Sequence, residues 1–131
     1  MTGSAADYKS VGGLRRIANA LRYSARGIRY AFTNEAAFRQ ELLAMLVLVP
    51  TAIVLPVSGL ERLLLVLLML LVLVVELLNT AVEATVDRVS MELHPLAGQA
   101  KDLGSAAVGI SLLMCIVAWV VIAGPVVLHL L

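Results

Sequence analysis

Thirteen consecutive residues, Leu63-Leu-Leu-Val-Leu-Leu-Met-Leu-Leu-Val-Leu-Val-Val75, carry no polar side chain and run without a break into Glu76-Leu-Leu-Asn79-Thr-Ala-Val-Glu83-Ala-Thr-Val-Asp87-Arg88. A hydrocarbon run of this density suits lipid, or a protein interior within lipid. At about 100° per residue, Glu76, Asn79, Glu83 and Asp87 fall near 0°, 300°, 340° and 20°. One face of one membrane helix is therefore predicted to carry a ladder of three carboxylates and an amide. A charge at mid-bilayer costs roughly 2.5–3.5 kcal/mol on insertion scales, so the ladder calls for partners, a cation or a water-filled site.

Two further runs, 42–60 and 103–128, contain no charged residue, and 61% of the 131 residues are hydrophobic. About 19 helical residues cross the roughly 30 Å hydrocarbon core. The expectation is an all-α membrane protein in one domain, 1–131. An interfacial helix over 14–33 precedes transmembrane helices over 35–58, 61–90 and 98–128. The net charge of +1 conceals an asymmetry, since the first 39 residues hold Lys9, Arg15, Arg16, Arg22, Arg26, Arg29 and Arg39 against Asp7 and Glu35. By the positive-inside rule the N-terminus and the 87–102 connection are expected in the cytoplasm, with the turn near Pro56 and the C-terminus outside. The pattern at the N-terminus is not that of a secretory signal, because no apolar region follows the first charges. Cys115 is the one cysteine, so no intramolecular disulfide forms.

Within 14–32, Leu14, Ile17, Ala18, Leu21, Ala25, Ile28 and Phe32 share one helix face and the arginines another, which suits a helix lying in the membrane interface. The arginines either anchor that helix or meet an anionic substrate such as a phosphate chain; Tyr23 and Tyr30 lie on their side. Asn34 is a candidate cap for the next helix, with Glu35 in its first turn. After the ladder, Glu92, His94, Lys101 and Asp102 interleave anions with cations. Carboxylates for Mg²⁺, cations for phosphate oxygens and a spare carboxylate for a hydroxyl proton are what phosphoryl transfer requires. No Gly-x-x-x-x-Gly-Lys-Ser/Thr loop, kinase-type glycine loop or Cys/His zinc spacing is present. Any nucleotide site is thus expected on helix faces. The competing non-enzymatic reading makes the ladder an ion path or an oligomer seam.

The segments Asn34-Glu-Ala-Ala-Phe-Arg-Gln-Glu41, Glu76-Leu-Leu-Asn-Thr-Ala-Val-Glu83 with Val86-Asp-Arg88, and Ala100-Lys-Asp-Leu-Gly-Ser-Ala-Ala-Val108 closely resemble the prokaryotic integral-membrane diacylglycerol kinases, without gaps from about residue 14 to Trp119. The resemblance implies a homotrimer in the bacterial inner membrane, with active sites shared between subunits. Its reaction moves the γ-phosphate of ATP to the hydroxyl of diacylglycerol, giving phosphatidate. Glu76 would be the general base, and Glu35 and Glu83 would bind Mg²⁺. Arg16, Tyr23, Glu35, Glu83, Glu92, His94, Lys101 and Asp102 would meet ATP, with Asn79 and Asp87 supporting them. Arg16, Arg39, Glu41, Arg62, Glu76, Ser105 and Trp119 would lie near the lipid.

Departures from the family pattern are Ala25, where relatives usually have an aromatic residue, and Pro95, where they usually have an acidic one. His94-Pro95 and Leu77-Leu78 with Thr80 are similar to a sister branch that phosphorylates undecaprenol. Asn34 to Glu41, Asp87-Arg88 and Gly104-Ser105 favour diacylglycerol.

Overall fold

The computed structural model describes residues 5–89 and 94–131, with side chains from residue 12 onward. Of the residues singled out above, Glu92 lies outside the described residues. The described chain is helical throughout its regular structure: α1 (Ala5–Asn34), α2 (Ala36–Val54), α3 (Gly59–Val89) and α4 (Pro95–Leu130). Helices α2, α3 and α4, of 19, 31 and 36 residues, are long and apolar enough to cross a membrane. At 1.5 Å per residue they measure about 28, 46 and 54 Å, so α3 and α4 outreach a hydrocarbon core of roughly 30 Å. The all-α membrane fold expected from the sequence is the fold found. The residues form two compact units, one ending at Glu35 and the other comprising α2, α3 and α4.

The first unit is α1, which begins well before residue 14. Its apolar face, with Leu14, Ile17, Leu21 and Ile28, is exposed within the chain, as an interfacial helix requires. At its end Thr33 donates its hydroxyl to the Arg29 carbonyl, and Asn34 Nδ2 donates to the Tyr30 carbonyl at 2.9 Å. Asn34 therefore closes α1 instead of capping α2. The reason is that a carboxamide carries donors as well as an acceptor, and the last carbonyls of a helix need donors.

In the second unit, α2 and α3 form a tight hairpin. Ser58 Oγ accepts from Glu61 N at 3.1 Å while Glu61 Oε1 accepts from Ser58 N at 3.0 Å, a reciprocal capping box that starts α3. Arg62 reaches back over the turn: Nε donates to the Ala52 carbonyl at 2.9 Å, and Nη2 to those of Leu55 at 3.0 Å and Val57 at 3.4 Å. A cation thereby gathers carbonyls exposed where α2 ends, although that of Leu55 also accepts from Val57 N at 2.9 Å. Where α2, α3 and α4 pack, Leu65 is fully buried between Ala52 and Ala118, with Trp119 and Ile122 against them. Two alanines let both neighbours approach one leucine closely. From there the buried residues of α3 run Leu65, Met69, Val72, Glu76 and Thr80, a seam with spacings of three and four. Leucines between the seam positions, such as Leu64, Leu67 and Leu71, face away from it and are exposed within the chain, suiting lipid or other membrane protein.

Candidate active site

The seam of α3 changes chemistry at Glu76, which continues the line of Leu65, Met69 and Val72 and is only 5% exposed. Its neighbour across the packing is Glu41, a turn and a half into α2, whose carboxyl lies against that of Glu76. Glu41 Oε2 is buried without a hydrogen-bond partner among the described residues. Glu41 also stands at the wall of an apolar recess of about 160 Å³ otherwise lined by residues such as Met45, Leu48, Met69, Leu112 and Ile116. A carboxyl pair therefore opens beside a hydrocarbon-lined groove.

One turn further along α3, Asn79 Nδ2 points to Glu83 Oε1 at 3.5 Å, a long contact. Asn79 Oδ1 is buried with no hydrogen-bond partner among the described residues. It lies against Gly104 of α4, where a Cβ would collide with it. Next along the same face, Asp87 Oδ1 pairs with Lys101 Nζ of α4 at 2.6 Å, both side chains being substantially exposed. Glu76 and Asp87 are about 16 Å apart along the helix axis, so the ladder descends from a buried carboxyl to a solvated ion pair. His94 begins α4: its Nδ1 accepts from Leu96 N at 3.1 Å, with Pro95 in the first turn. An accepting Nδ1 leaves the ring proton on Nε2. Near it, Thr85, Val86, Val89, Leu96, Ala97 and Ala100 complete a recess of about 470 Å³.

The structure thus joins Glu41 to Glu76, Asn79 to Glu83, and Asp87 to Lys101. Asp102 and Ser105 follow on α4 and are exposed; Arg39 is exposed on α2. Arg16 and Tyr23 are exposed on α1, and Glu35, half-buried at its end, donates its N–H to the Ala31 carbonyl at 2.8 Å. Arg62 sits at the far end of α3, its guanidinium engaged by backbone carbonyls. Trp119 packs on the Leu65 cluster, about 16 Å along α3 from Glu76, with its indole N–H buried and without a partner among the described residues. Two relations were not read from the sequence: the Glu41–Glu76 contact and the seat of Asn79 on Gly104. Gly104 is marked in the sequence by the matched Ala100 to Val108 segment and by the Gly104-Ser105 pair, neither of which shows what it packs against.

Among the described residues no group of three or more His, Cys, Asp or Glu side chains is gathered for a metal ion. A Mg²⁺ that arrives with a nucleotide needs less, since one or two carboxylates suffice when phosphates and water fill the octahedron. Glu83, half-buried with an amide turned toward it, fits that donor set.

Comparison with known proteins agrees with this geometry. Residues 22–123 match the family described as prokaryotic diacylglycerol kinase. A diacylglycerol kinase of Pseudomonas aeruginosa is 52% identical over 119 residues, 91% of this chain and 97% of the relative. That of Escherichia coli K12 is 47% identical over 84% of this chain and 90% of its own, and that of Haemophilus influenzae 43% identical over 86% and 94%. With a carboxyl pair beside an apolar groove and an acidic ladder leading from it, this membrane chain belongs to the prokaryotic diacylglycerol kinase family.

Proposed function

We propose that the protein is a lipid kinase that transfers the γ-phosphate of ATP to the hydroxyl of diacylglycerol, giving phosphatidate and ADP. It works with Mg²⁺ as a homotrimer at the cytoplasmic face of the bacterial inner membrane, with its N-terminus inside. The observation that carries the reading is Glu76: a buried carboxyl at the point where a hydrocarbon seam turns acidic, next to the groove at Glu41. A lipid hydroxyl approaches from the groove while a nucleotide approaches from the Asp87–Lys101 end. The excess of arginine before the first span supports the orientation, and the apolar faces of α2, α3 and α4 left exposed within one chain support assembly.

In the transfer, the lipid hydroxyl oxygen forms a bond to the γ-phosphorus, the bond to the β,γ-bridging oxygen breaks, and the hydroxyl proton passes to a Glu76 oxygen. A lipid alcohol is a very weak acid, so Glu76 takes the proton late, and alignment supplies much of the acceleration. Glu83 with Glu35 would hold a divalent ion, which would supply neutralisation of phosphate charge. By the family resemblance, Lys101 and Arg16 would offer cations to phosphate oxygens, and His94 and Tyr23 would meet the nucleotide. Arg39, Glu41 and Ser105 border the path of the lipid headgroup.

The test is a mixed-micelle assay with Mg²⁺, radiolabelled ATP, and dioleoylglycerol or undecaprenol in parallel. Label in phosphatidate is expected; preference for undecaprenol would reassign the acceptor, and no transfer to any lipid alcohol would refute the kinase. Glu76→Gln should lower kcat about 10²- to 10⁴-fold with nucleotide affinity preserved. An equal loss of both would remove Glu76 from the role of base.

A further inference from the structure

Gly104 is the one glycine among the described residues whose missing side chain makes room for another residue. A Cβ there would collide with Asn79 Oδ1 and stand 3.3 Å from Asn79 Cγ. The hydrogen in place of that Cβ points at Oδ1, a weak C–H···O contact of the kind found where helices cross closely. It is the neighbour of an oxygen that is buried and has no hydrogen-bond partner among the described residues. The amide cannot be turned over to improve this. Glu83 accepts and does not donate when ionised, so the NH₂ must face the carboxylate and the oxygen must face α4. A retreat of α4 to admit a side chain at 104 would work against its packing on α3, where further along Leu65 is fully buried against Ala118.

We propose that Gly104 is a positioning residue: by lacking a side chain it lets α4 press the Asn79 amide against α3, where its NH₂ orients Glu83 toward the divalent ion. This rests on the reading of Glu83 as a metal ligand. A methyl at 104 displaces the amide from its seat, and Glu83 then loses the group that fixes its rotamer. A hydrogen bond behind a metal ligand typically changes metal affinity 10- to 100-fold when removed.

The experiment compares the full-length protein with Gly104→Ala, Asn79→Ala, the double variant and Glu83→Gln in mixed micelles. Mn²⁺ binding is read by electron paramagnetic resonance in the presence of a non-hydrolysable ATP analogue, and thermal unfolding is followed alongside. Gly104→Ala and Asn79→Ala should each weaken Mn²⁺ binding about tenfold, and the double variant should be no weaker than Asn79→Ala. Unchanged Mn²⁺ binding in Gly104→Ala, even with lowered stability, overturns the proposal, and so does a double variant in which the two losses multiply. Should Gly104→Ala not fold, Asn79→Ala against the double variant decides, because removing the amide removes the collision. Unchanged binding in Glu83→Gln removes Glu83 as a ligand and overturns the reading of the site itself; loss there with no effect of Gly104→Ala overturns only the role of the glycine.

Discussion

Arg62→Ala separates two roles for one side chain. Family resemblance puts Arg62 near the lipid, whereas in the structure its guanidinium spans the end of α2, on the carbonyls of Ala52, Leu55 and Val57. Two of these bonds are of ordinary length and the third is long. Bonds from a charged donor contribute about 1.5–3 kcal/mol each, but the turn is near water, which replaces part of what is lost. A net of about 1 kcal/mol for each good bond, with the packing of the alkyl stem, gives roughly 2–3 kcal/mol for the variant. That is about a 30- to 150-fold change in the folding equilibrium. The assay is equilibrium unfolding in mixed detergent and SDS micelles, followed by the fluorescence of Trp119, the one tryptophan, which packs on the Leu65 cluster. Arg62→Lys should recover about half the loss, since an ammonium cannot fork across separate carbonyls. Wild-type unfolding in Arg62→Ala, with a defect confined to the KM for the lipid, would refute the clasp.

Other perturbations have equally definite outcomes. Ser58→Ala removes the capping hydroxyl of α3 and should cost about 1 kcal/mol in the same unfolding assay, with turnover unchanged. His94→Ala should cost a similar amount through the start of α4, and His94→Asn should restore it, since asparagine also caps; unequal kcat in two equally stable variants would reveal a direct nucleotide contact. A double-mutant cycle on Asp87 and Lys101 should give a coupling of only about 0.2–1 kcal/mol in stability, falling with salt, because the pair is exposed. Activity of Lys101→Met should fall far more than that coupling allows; a small loss would make the lysine structural. Glu41→Gln places an amide donor against Glu76 and should keep turnover within about tenfold, whereas Glu41→Leu puts an apolar group beside a buried carboxyl and should cost about 1–3 kcal/mol in stability.

The helical fold was legible because hydrocarbon length and charge placement in a membrane chain are direct physical constraints. Which face of α3 is buried was not legible over 63–75, where Leu65 and Leu64 have the same chemistry but opposite surroundings. The ladder supplied the phase: continuing Glu76 backwards by threes and fours reaches Val72, Met69 and Leu65, the residues that pack. Asn34 misled because asparagine serves both ends of a helix, and the choice was made by the Tyr30 carbonyl one turn back. Glu41 and Glu76 meet although 35 positions separate them, a relation set by the hairpin at Ser58 and Arg62 and by no local pattern. Gly104 gains its meaning only from Asn79 on the facing helix.

The seam of α3 has a mechanical consequence. Because Leu65, Met69 and Val72 lie in phase with Glu76, the greasy half of the helix acts as an index for the acidic half. One residue inserted between Leu65 and Glu76 would roll every carboxylate by about 100° and advance it by 1.5 Å, turning the ladder away from α4, while seven would return it to phase about two turns too far toward the Asp87 end. The length of the featureless leucine run is therefore as tightly specified as the identity of the carboxylates it aims.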